Sequence, residues 1–378
     1  MSQRVLDEIA IVASRGLPPE QLFAELAPRL RKVIDSDASC WHTLDPFTRL
    51  MTTDAPAELI ERGVFTAQGA AVAGERMVRS EYLIEDFNTF AGLAGKRVPV
   101  GSLEQATRGR PERSARYREL LVPAGIPHEL RAAFVLRGRA WGAVHIARRA
   151  SSAAFSDADA AMLARVAGSI AQAIRASLRI DAARRGDHAE APGMILLDAA
   201  NEVELATPPA RELIAAMRSD AGVYPDLLPP APVLGLAAFA RREGHAGALV
   251  NQVTVPSALG WITLHASLPD GARAGRVAIV LERATGPQSA TLRLEVNGVT
   301  AREREVATLL ARGLSSAEVA DALVLSPYTV QDHIKSLYEK LGVGSRQELV
   351  ARVFLDEYLP DVVVHTPITS KGRFQTHG

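Results

Sequence analysis

Along residues 327–341, Tyr328, Gln331, Asp332, Lys335 and Glu339 recur on one side, with His333 on the flank. These are hydrogen-bonding heads, not a nucleophile with its base. A glutamine amide carries a donor and an acceptor together, the pattern that pairs bidentately with adenine. A lysine ammonium reaches guanine or a phosphate. Thr329 and Ser316 carry hydroxyls at helix starts and Arg346 a guanidinium, groups that bind phosphate oxygens. The chemistry they suit is recognition of duplex DNA. The candidate contacts are therefore Ser316, Tyr328, Thr329, Gln331, Asp332, His333, Lys335 and Arg346, each with an ordinary solvated surface residue as its alternative.

Four short helices must position these groups. Thr300 and Glu303, Ser315 and Glu318, and Ser345 and Glu348 each stand three apart. That is the spacing of a capping box, in which hydroxyl and carboxylate satisfy free backbone N–H groups at a helix start. The third helix begins differently, with Ser326 at the N-cap and Pro327 at the first helical position, where a missing N–H costs nothing. Gly313 and Gly342, followed by Leu314 and Val343, suit left-handed C-caps. Val306, Leu309 and Leu310 form one apolar stripe, and Val319, Ala320 and Leu323 a second. Val330, Ile334, Leu337 and Leu341 form a third. Leu349, Val350 and Val353 close the bundle. The tight turn Val324-Leu325-Ser326 makes the second and third helices a helix-turn-helix, whose second helix enters the major groove.

From Thr300 to Leu349 the chain reads T-x-R-E-x-E-V, A-x-G-x-S-x-x-E-V-A, L-x-x-S-x-x-T-V-x-x-H and K-L-G-V-x-S-R-x-E-L in order. On those motifs this segment resembles the LuxR-type helix-turn-helix of bacterial transcription regulators. The resemblance covers about one sixth of the chain. It implies an all-α four-helix domain in which the positions just after Thr329-Val330 face the groove. Many members carry Lys or Arg where this chain has Gln331. A helical module that docks a protein partner is the alternative. Between Glu295 and Phe354 acids slightly outnumber bases. Phosphate neutralisation dominates DNA affinity, so a lone module should bind weakly and a homodimer better.

Composition bounds the rest. The 378 residues are 47 % apolar, with 43 Lys+Arg against 43 Asp+Glu. That is room for two or three globular domains, without a polycationic character. The single cysteine, Cys40, excludes a disulfide framework and a Cys-based zinc site. No apolar run reaches transmembrane length and MSQRVLDEIA has no signal-peptide core, so a cytoplasmic protein without membrane contact is expected. No phosphate loop, H-E-x-x-H, G-x-S-x-G or metal cluster is present, and no enzyme is expected. A small-molecule enzyme in the first domain is a remaining alternative.

The first half alternates helix and strand. A helix carries Leu22, Leu26, Leu30 and Val33. A strand at Ala38–Leu44 turns at Asp45-Pro46 and returns over Arg49–Thr53. Polar helices are expected around Ser102–Arg108 and Glu112–Leu121. Strands Glu129–Leu136 and Ala140–Ala147 flank Arg137-Gly138-Arg139. Ser156 and Asp159 cap a long helix with Leu163, Val166, Ile170, Ile174 and Leu178 on one face. This order, and the stretch W-G-A-V-H-I-A-R-R followed by F-S-D-A-D-A-A-M-L, resembles a GAF sensory domain. The middle is similar to a PAS-like domain. It has strands at Met194–Leu197 and Glu202–Ala206, a helix capped by Thr207 with Pro208 next, then strands at Ala248–Val255, Trp261–Ser267 and Arg276–Leu281. The expected fold class is thus multidomain: an α+β GAF-like domain over 1–180, an α+β PAS-like domain over 191–284 and the all-α LuxR-type domain over 295–357. Linkers fall at 181–190 and 285–294, with a tail at 358–378.

GAF domains hold small molecules between sheet and helices. By that resemblance the candidate ligand-lining groups are Trp41, His42, Tyr82, Asp86, His128 and His145, and the ligand is an unidentified small molecule with cofactor unknown. The apolar richness of the long helix suggests that it also builds a homodimer. Two modules on a dimer imply an inverted-repeat DNA site with half-sites about one helical turn apart. RNA polymerase is a candidate protein partner.

Overall fold

The computed structural model describes residues 2–53, 57–182, 192–217, 229–243, 252–257, 259–269, 275–284, 294–311, 313–346 and 348–349. The chain divides into two compact units, Met1–Arg283 and Ala284–Gly378.

The first unit opens with α1 (Ser2–Ser14) and α2 (Pro19–Arg31), then β1 (Ala38–Thr43), α3 (Ala57–Glu61), α4 (Ala67–Tyr82) and α5 (Phe90–Ala94). β2 (Val100–Ser102) and α6 (Leu103–Ala106) follow, then single helical turns at Pro111–Arg113 and Tyr117–Leu121. β3 (His128–Leu136), β4 (Arg139–Arg148) and α7 (Asp157–Ala182) complete this half. Its antiparallel sheet runs β1-β4-β3-β2. Arg137 and Gly138, at φ 52° and 76°, form the β3–β4 turn in the left-handed conformation that a tight hairpin needs.

Two expectations change here. The return strand at Arg49–Thr53 shrinks to one bridge, Leu44 to Met51. The Asp45 carboxylate accepts from the Phe47 and Thr48 N–H groups, and Arg49 turns left-handed at φ 62°. A hydrogen-bonded turn thus replaces extended pairing. The two polar helices contract to α6 and the single turns.

Ser156 and Asp159 do cap α7 reciprocally. Its stripe Leu163, Val166, Ile170, Ile174 and Leu178 is buried. Gly142 in β4 lets this helix lie close on the sheet, because a Cβ there would come within 2.5 Å of Ile174 Cδ1 and 2.7 Å of the His42 carbonyl. α1, α2, β3 and β4 all pack on α7. Its apolar excess is therefore taken up within the chain, which removes it as an argument for dimerisation.

The other half of this unit holds β5 (Gly193–Leu197), β6 (Val203–Ala206), α8 (Pro208–Met217), α9 (Ala231–Glu243), β7 (Gln252–Ser257), β8 (Gly260–Ser267) and β9 (Val277–Arg283). The antiparallel order is β6-β5-β9-β8-β7. Thr207 precedes α8 as expected, but its hydroxyl accepts from the Met194 N–H of β5 at 2.9 Å, tying helix start to strand. Residues 248–251, 183–190, 285–290 and the 358–378 tail lie outside the described residues.

The two sheets share one apolar core. Leu44, Met51, Val78 and Tyr82 from the first half are contiguous with Leu236, Ala237, Ile262 and Ile279 from the second. α4 packs on α9, and Arg242 Nη1 donates to the Tyr82 carbonyl at 3.2 Å.

The second unit contains α10 (Ala301–Ala311), α11 (Ser316–Leu323) and α12 (Pro327–Leu341). Val306, Leu310, Val319, Ala320, Val330, Ile334, Leu337, Leu341 and Leu349 form its core. A further helical turn begins at Arg346; Val350 and Val353, expected to close the bundle, lie outside the described residues.

Candidate functional site

Five local devices fix the helices of the second unit. Thr300 N–H donates to Glu303 at 2.7 Å and Glu303 N–H to the Thr300 hydroxyl at 3.2 Å. The Ser315–Glu318 box is equally reciprocal. Ser326 caps α12 by accepting from the Thr329 N–H, with Pro327 next. At Ser345 the box is only half made: its hydroxyl accepts from Glu348 N–H at 3.1 Å, but the Glu348 carboxylate accepts from Gly344 N–H at 2.7 Å. Gly342 closes α12 left-handed at φ 65°.

The Glu303 carboxylate does more than cap. It accepts from Lys340 Nζ at 2.6 Å and from the Ser336 hydroxyl at 2.6 Å, both on α12. Burial alone would raise its pKa, but these donors and the Thr300 hydrogen bonds hold it down to about 2. One half-turn of α10 thus clamps the middle and end of α12.

On the outer side of α12, Gln331, Asp332 and Lys335 are exposed, and Tyr328 is 85 % exposed. Thr329, Ser316, His333 and Arg346 are half-buried. The Thr329 hydroxyl lies 2.9 Å from that of Ser326, and Arg346 donates to the Leu314 carbonyl beneath α11. Arg302 pairs with Glu305, Arg304 with Glu295 and Lys340 with Glu303. Among the described residues, Lys335 is the one Lys or Arg of this unit that donates to no acceptor in the chain. Among the described residues the face therefore presents one uncommitted cation with an uncommitted amide one turn before it.

The turn before α12 carries strain. Val324 is left-handed, at φ 54° and ψ 50°, and 91 % exposed. A β-branched residue there costs roughly 1–2 kcal/mol. Val324→Gly is expected to stabilise this unit by roughly 0.5–1 kcal/mol, the remainder being offset by glycine's greater unfolded-state entropy. Slower amide hydrogen exchange over α11 and α12 would show it; faster exchange would count against a strained turn.

In the first unit the six residues expected to line a ligand site separate. His42 and His145 line a cavity between the sheet and α4, with Cys40, Met51, Leu59, Phe65, Ala70, Ala73, Gly74, Met77, Val78 and Ile126. Trp41 points to the other face, stacked between Phe23 and Phe134 at 5.5 and 5.7 Å. The Tyr82 hydroxyl accepts from Met51 N–H at 2.9 Å, on the side of α9. Asp86 accepts from Arg116 N–H at 2.8 Å, and His128 pairs with Glu104 at 2.7 Å.

Beside the cavity lies a buried ion network that the sequence reading missed. Arg116 forks onto Glu129 at 2.9 and 2.7 Å, and Arg131 pairs with Glu81 at 2.9 Å while lying 3.7 Å over the Phe90 ring. All four charged side chains are at most 1 % exposed. His145 Nε2 is 3.4 Å from Glu129, yet neither imidazole nitrogen has a hydrogen-bond partner. Burial pushes the His145 pKa down to about 4, against the opposing pull of Glu129, so its ring is neutral at pH 7. No cluster of three or more His, Cys, Asp or Glu among the described residues could hold a metal ion, and no helix among them is long and apolar enough to cross a membrane.

Comparison with known proteins gives the following. Residues 297–353 match the family described as bacterial regulatory proteins, luxR family. The chain is 50 % identical over 56 residues to the transcriptional regulatory protein UhpA of Escherichia coli, covering 15 % of this chain and 29 % of that one. It is 36 % identical over 127 residues to UhpA of Salmonella typhimurium, covering 32 % and 62 %. It is 43 % identical over 61 residues to a probable transcriptional regulatory protein NarL of Mycobacterium tuberculosis, covering 16 % and 28 %. The chain thus spans less than two thirds of each of these regulators. Among solved structures, a phage VqmA–DPO complex aligns with TM-score 0.24 and 20 % identity over 46 % of this chain and 87 % of that one. Residues 297–353 are a LuxR-type helix-turn-helix domain.

Proposed function

We propose that this chain is a DNA-binding transcription regulator whose first unit couples a small-molecule signal to promoter binding. The observation that carries the DNA reading is the outer side of α12. Gln331 and Lys335 stand exposed and uncommitted on a helix held rigidly by Glu303, within a LuxR-type domain. Gln331 is assigned to an adenine edge and Lys335 to guanine or phosphate. Ser316, Thr329 and Arg346 border the same face as phosphate contacts, with Tyr328, Asp332 and His333 beside the bases.

That Lys335 is the one uncommitted cation among the described residues of this unit supports action as a homodimer, since two modules double the phosphate contacts. In the first unit, the four-stranded sheet flanked by helices supports a GAF-like reading. The strand pair, helices and three strands that follow support a PAS-like one. RNA polymerase is the partner such a regulator would meet, in the cytoplasm.

Gln331→Ala and Lys335→Ala should each weaken specific DNA binding by roughly 1–3 kcal/mol, and Lys335→Ala should lower the salt slope by about one if it meets a phosphate. Titration of the full-length protein with duplexes selected from a random pool at several salt concentrations checks this. Unchanged affinity in both variants would remove α12 from the groove. Failure to select any duplex would favour docking of a protein partner, with the exposed Val324 and Tyr328 as its apolar contact.

A further inference from the structure

Resting on the reading of the first unit as a sensor, we propose that the cavity beneath α4 binds a small, uncharged, largely apolar molecule with one hydroxyl, which hydrogen-bonds to His145. The second sheet reads its occupancy through α4 and α9.

The cavity wall supplies the first half of that description. Leu59, Phe65, Met77, Val78 and Ile126 are apolar, and Ala70, Ala73 and Gly74 along α4 keep the space open. The cavity is narrow, about 40 Å³, so it admits only a small molecule and widens by outward movement of α4 to seat one. A ligand of this class gains from burying hydrocarbon there.

His145 supplies the polar half. It lies on β4 directly across from Cys40 of β1 and Arg131 of β3, so its ring stands on the face of the sheet that α4 covers. The residue is 2 % exposed and lines the cavity, yet both ring nitrogens lack a hydrogen-bond partner. Buried polar groups are nearly always satisfied, and an orphaned one calls for a partner that is not protein. A neutral imidazole has one donor and one acceptor. A hydroxyl, which can donate or accept, satisfies it in either tautomer.

Charge excludes other ligand classes. Glu129, Arg116, Arg131 and Glu81 behind His145 are already paired with one another. A carboxylate or ammonium entering this space would be desolvated with no counter-ion to meet it.

The same wall leads to the second sheet. Ala231, the first residue of α9, lines the cavity together with α4 residues. Further along, Arg242 of α9 holds the last carbonyl of α4 at Tyr82, and Gly235 faces the Tyr82 ring, where a Cβ would come within 3.1 Å. A molecule that displaces α4 outward therefore meets α9.

The test uses the full chain, without DNA, and three probes of one shape: 4-ethylphenol, ethylbenzene and 4-ethylbenzoate. Thermal unfolding and amide exchange are the readouts. The expected result is a dose-dependent rise in the midpoint with 4-ethylphenol and slowed exchange in both α4 and α9. Ethylbenzene should bind about tenfold more weakly, and 4-ethylbenzoate should have no effect. In His145→Phe the phenol and the hydrocarbon should become equivalent, and Ala73→Leu should reduce both. Equal binding of phenol and hydrocarbon by the native chain would overturn the role of His145. Preference for the benzoate, or no response to any probe, would overturn the ligand class. Slowed exchange in α4 alone would overturn the relay to α9. Because the probe series is read on the native chain, a misfolded variant leaves it intact. DNA titration of the same protein separates failure here from failure of the regulator reading.

Discussion

Glu303→Ala should cost the helix-turn-helix unit roughly 1–3 kcal/mol, the loss of a helix cap and of a charged hydrogen bond to a Lys340 that is itself partly exposed. The carboxylate is only 5 % exposed and is bonded at once to Lys340, Ser336 and the start of its own helix. A small unit has little stability to spare, so a loss of that size populates unfolded α12. DNA binding should fall even though no groove-facing side chain has changed. Glu303→Gln should be milder, because an amide keeps an acceptor for Ser336 and Thr300 while losing the charge. The pH dependence has a definite sign. The folded pKa, about 2, lies below the ordinary carboxylate value of 4.5. The stabilisation is therefore complete above about pH 4.5 and is lost as pH falls through about 2, and with water screening the partly exposed pair it amounts to roughly 1–2 kcal/mol. Amide exchange over residues 301–341, measured against pH in the native chain and in Glu303→Gln, reads this directly. An equal acid slope in both proteins would show that the clamp contributes little.

The second unit was more legible in sequence than the first, for a physical reason. Its helix boundaries are set by residues three apart, Thr300 with Glu303 and Ser315 with Glu318, so a local pattern determines local structure. The Ser345 box misled only in its return bond, where Glu348 chooses Gly344. What sequence did not disclose was the reach of Glu303 to α12, a contact across 37 residues. In the first unit, α4 went unread because Ala-Gln-Gly-Ala-Ala-Val-Ala-Gly carries too few large apolar residues to mark a face. Yet Ala70, Ala73 and Gly74 among them make the room beneath it. The ligand-site residues divided for a simpler reason. Trp41 and His42 are strand neighbours and must face opposite ways. Only His42 shares a face with His145, through its neighbour-but-one Cys40.

β3 shows the same limit more sharply. Glu129 and Arg131 alternate with Leu130, Ala132 and Phe134, a pattern that reads as one wet and one buried face. Both faces are buried. Charge is tolerated there only because Arg116, from the segment between the two single turns, and Glu81, from the end of α4, complete the pairs. Pairing across 13 and 50 residues leaves no periodic trace.

Arg116→Met is therefore expected to destabilise the first unit by roughly 3 kcal/mol, as the buried Glu129 is left without its bidentate partner and with only Arg131, 4.0 Å away, as counter-charge. The Phe87 carbonyl loses a donor in the same step, and Asp86 loses a cation 3.6 Å away while keeping the Arg116 N–H. The double variant Arg116→Met, Glu129→Leu should recover part of that loss, because a buried pair exchanged for apolar residues of similar volume is often close to neutral. Recovery should be incomplete, since Arg131 then keeps Glu81 but loses its second carboxylate 4.0 Å away. A double-mutant cycle on thermal or urea unfolding measures the coupling; additive losses would mean that Arg116 and Glu129 act separately. Amide exchange over residues 301–341 should stay as in the native chain throughout. The network belongs to a unit whose internal contacts end at Arg283, so its failure should abolish any response to ligand while leaving the helix-turn-helix folded.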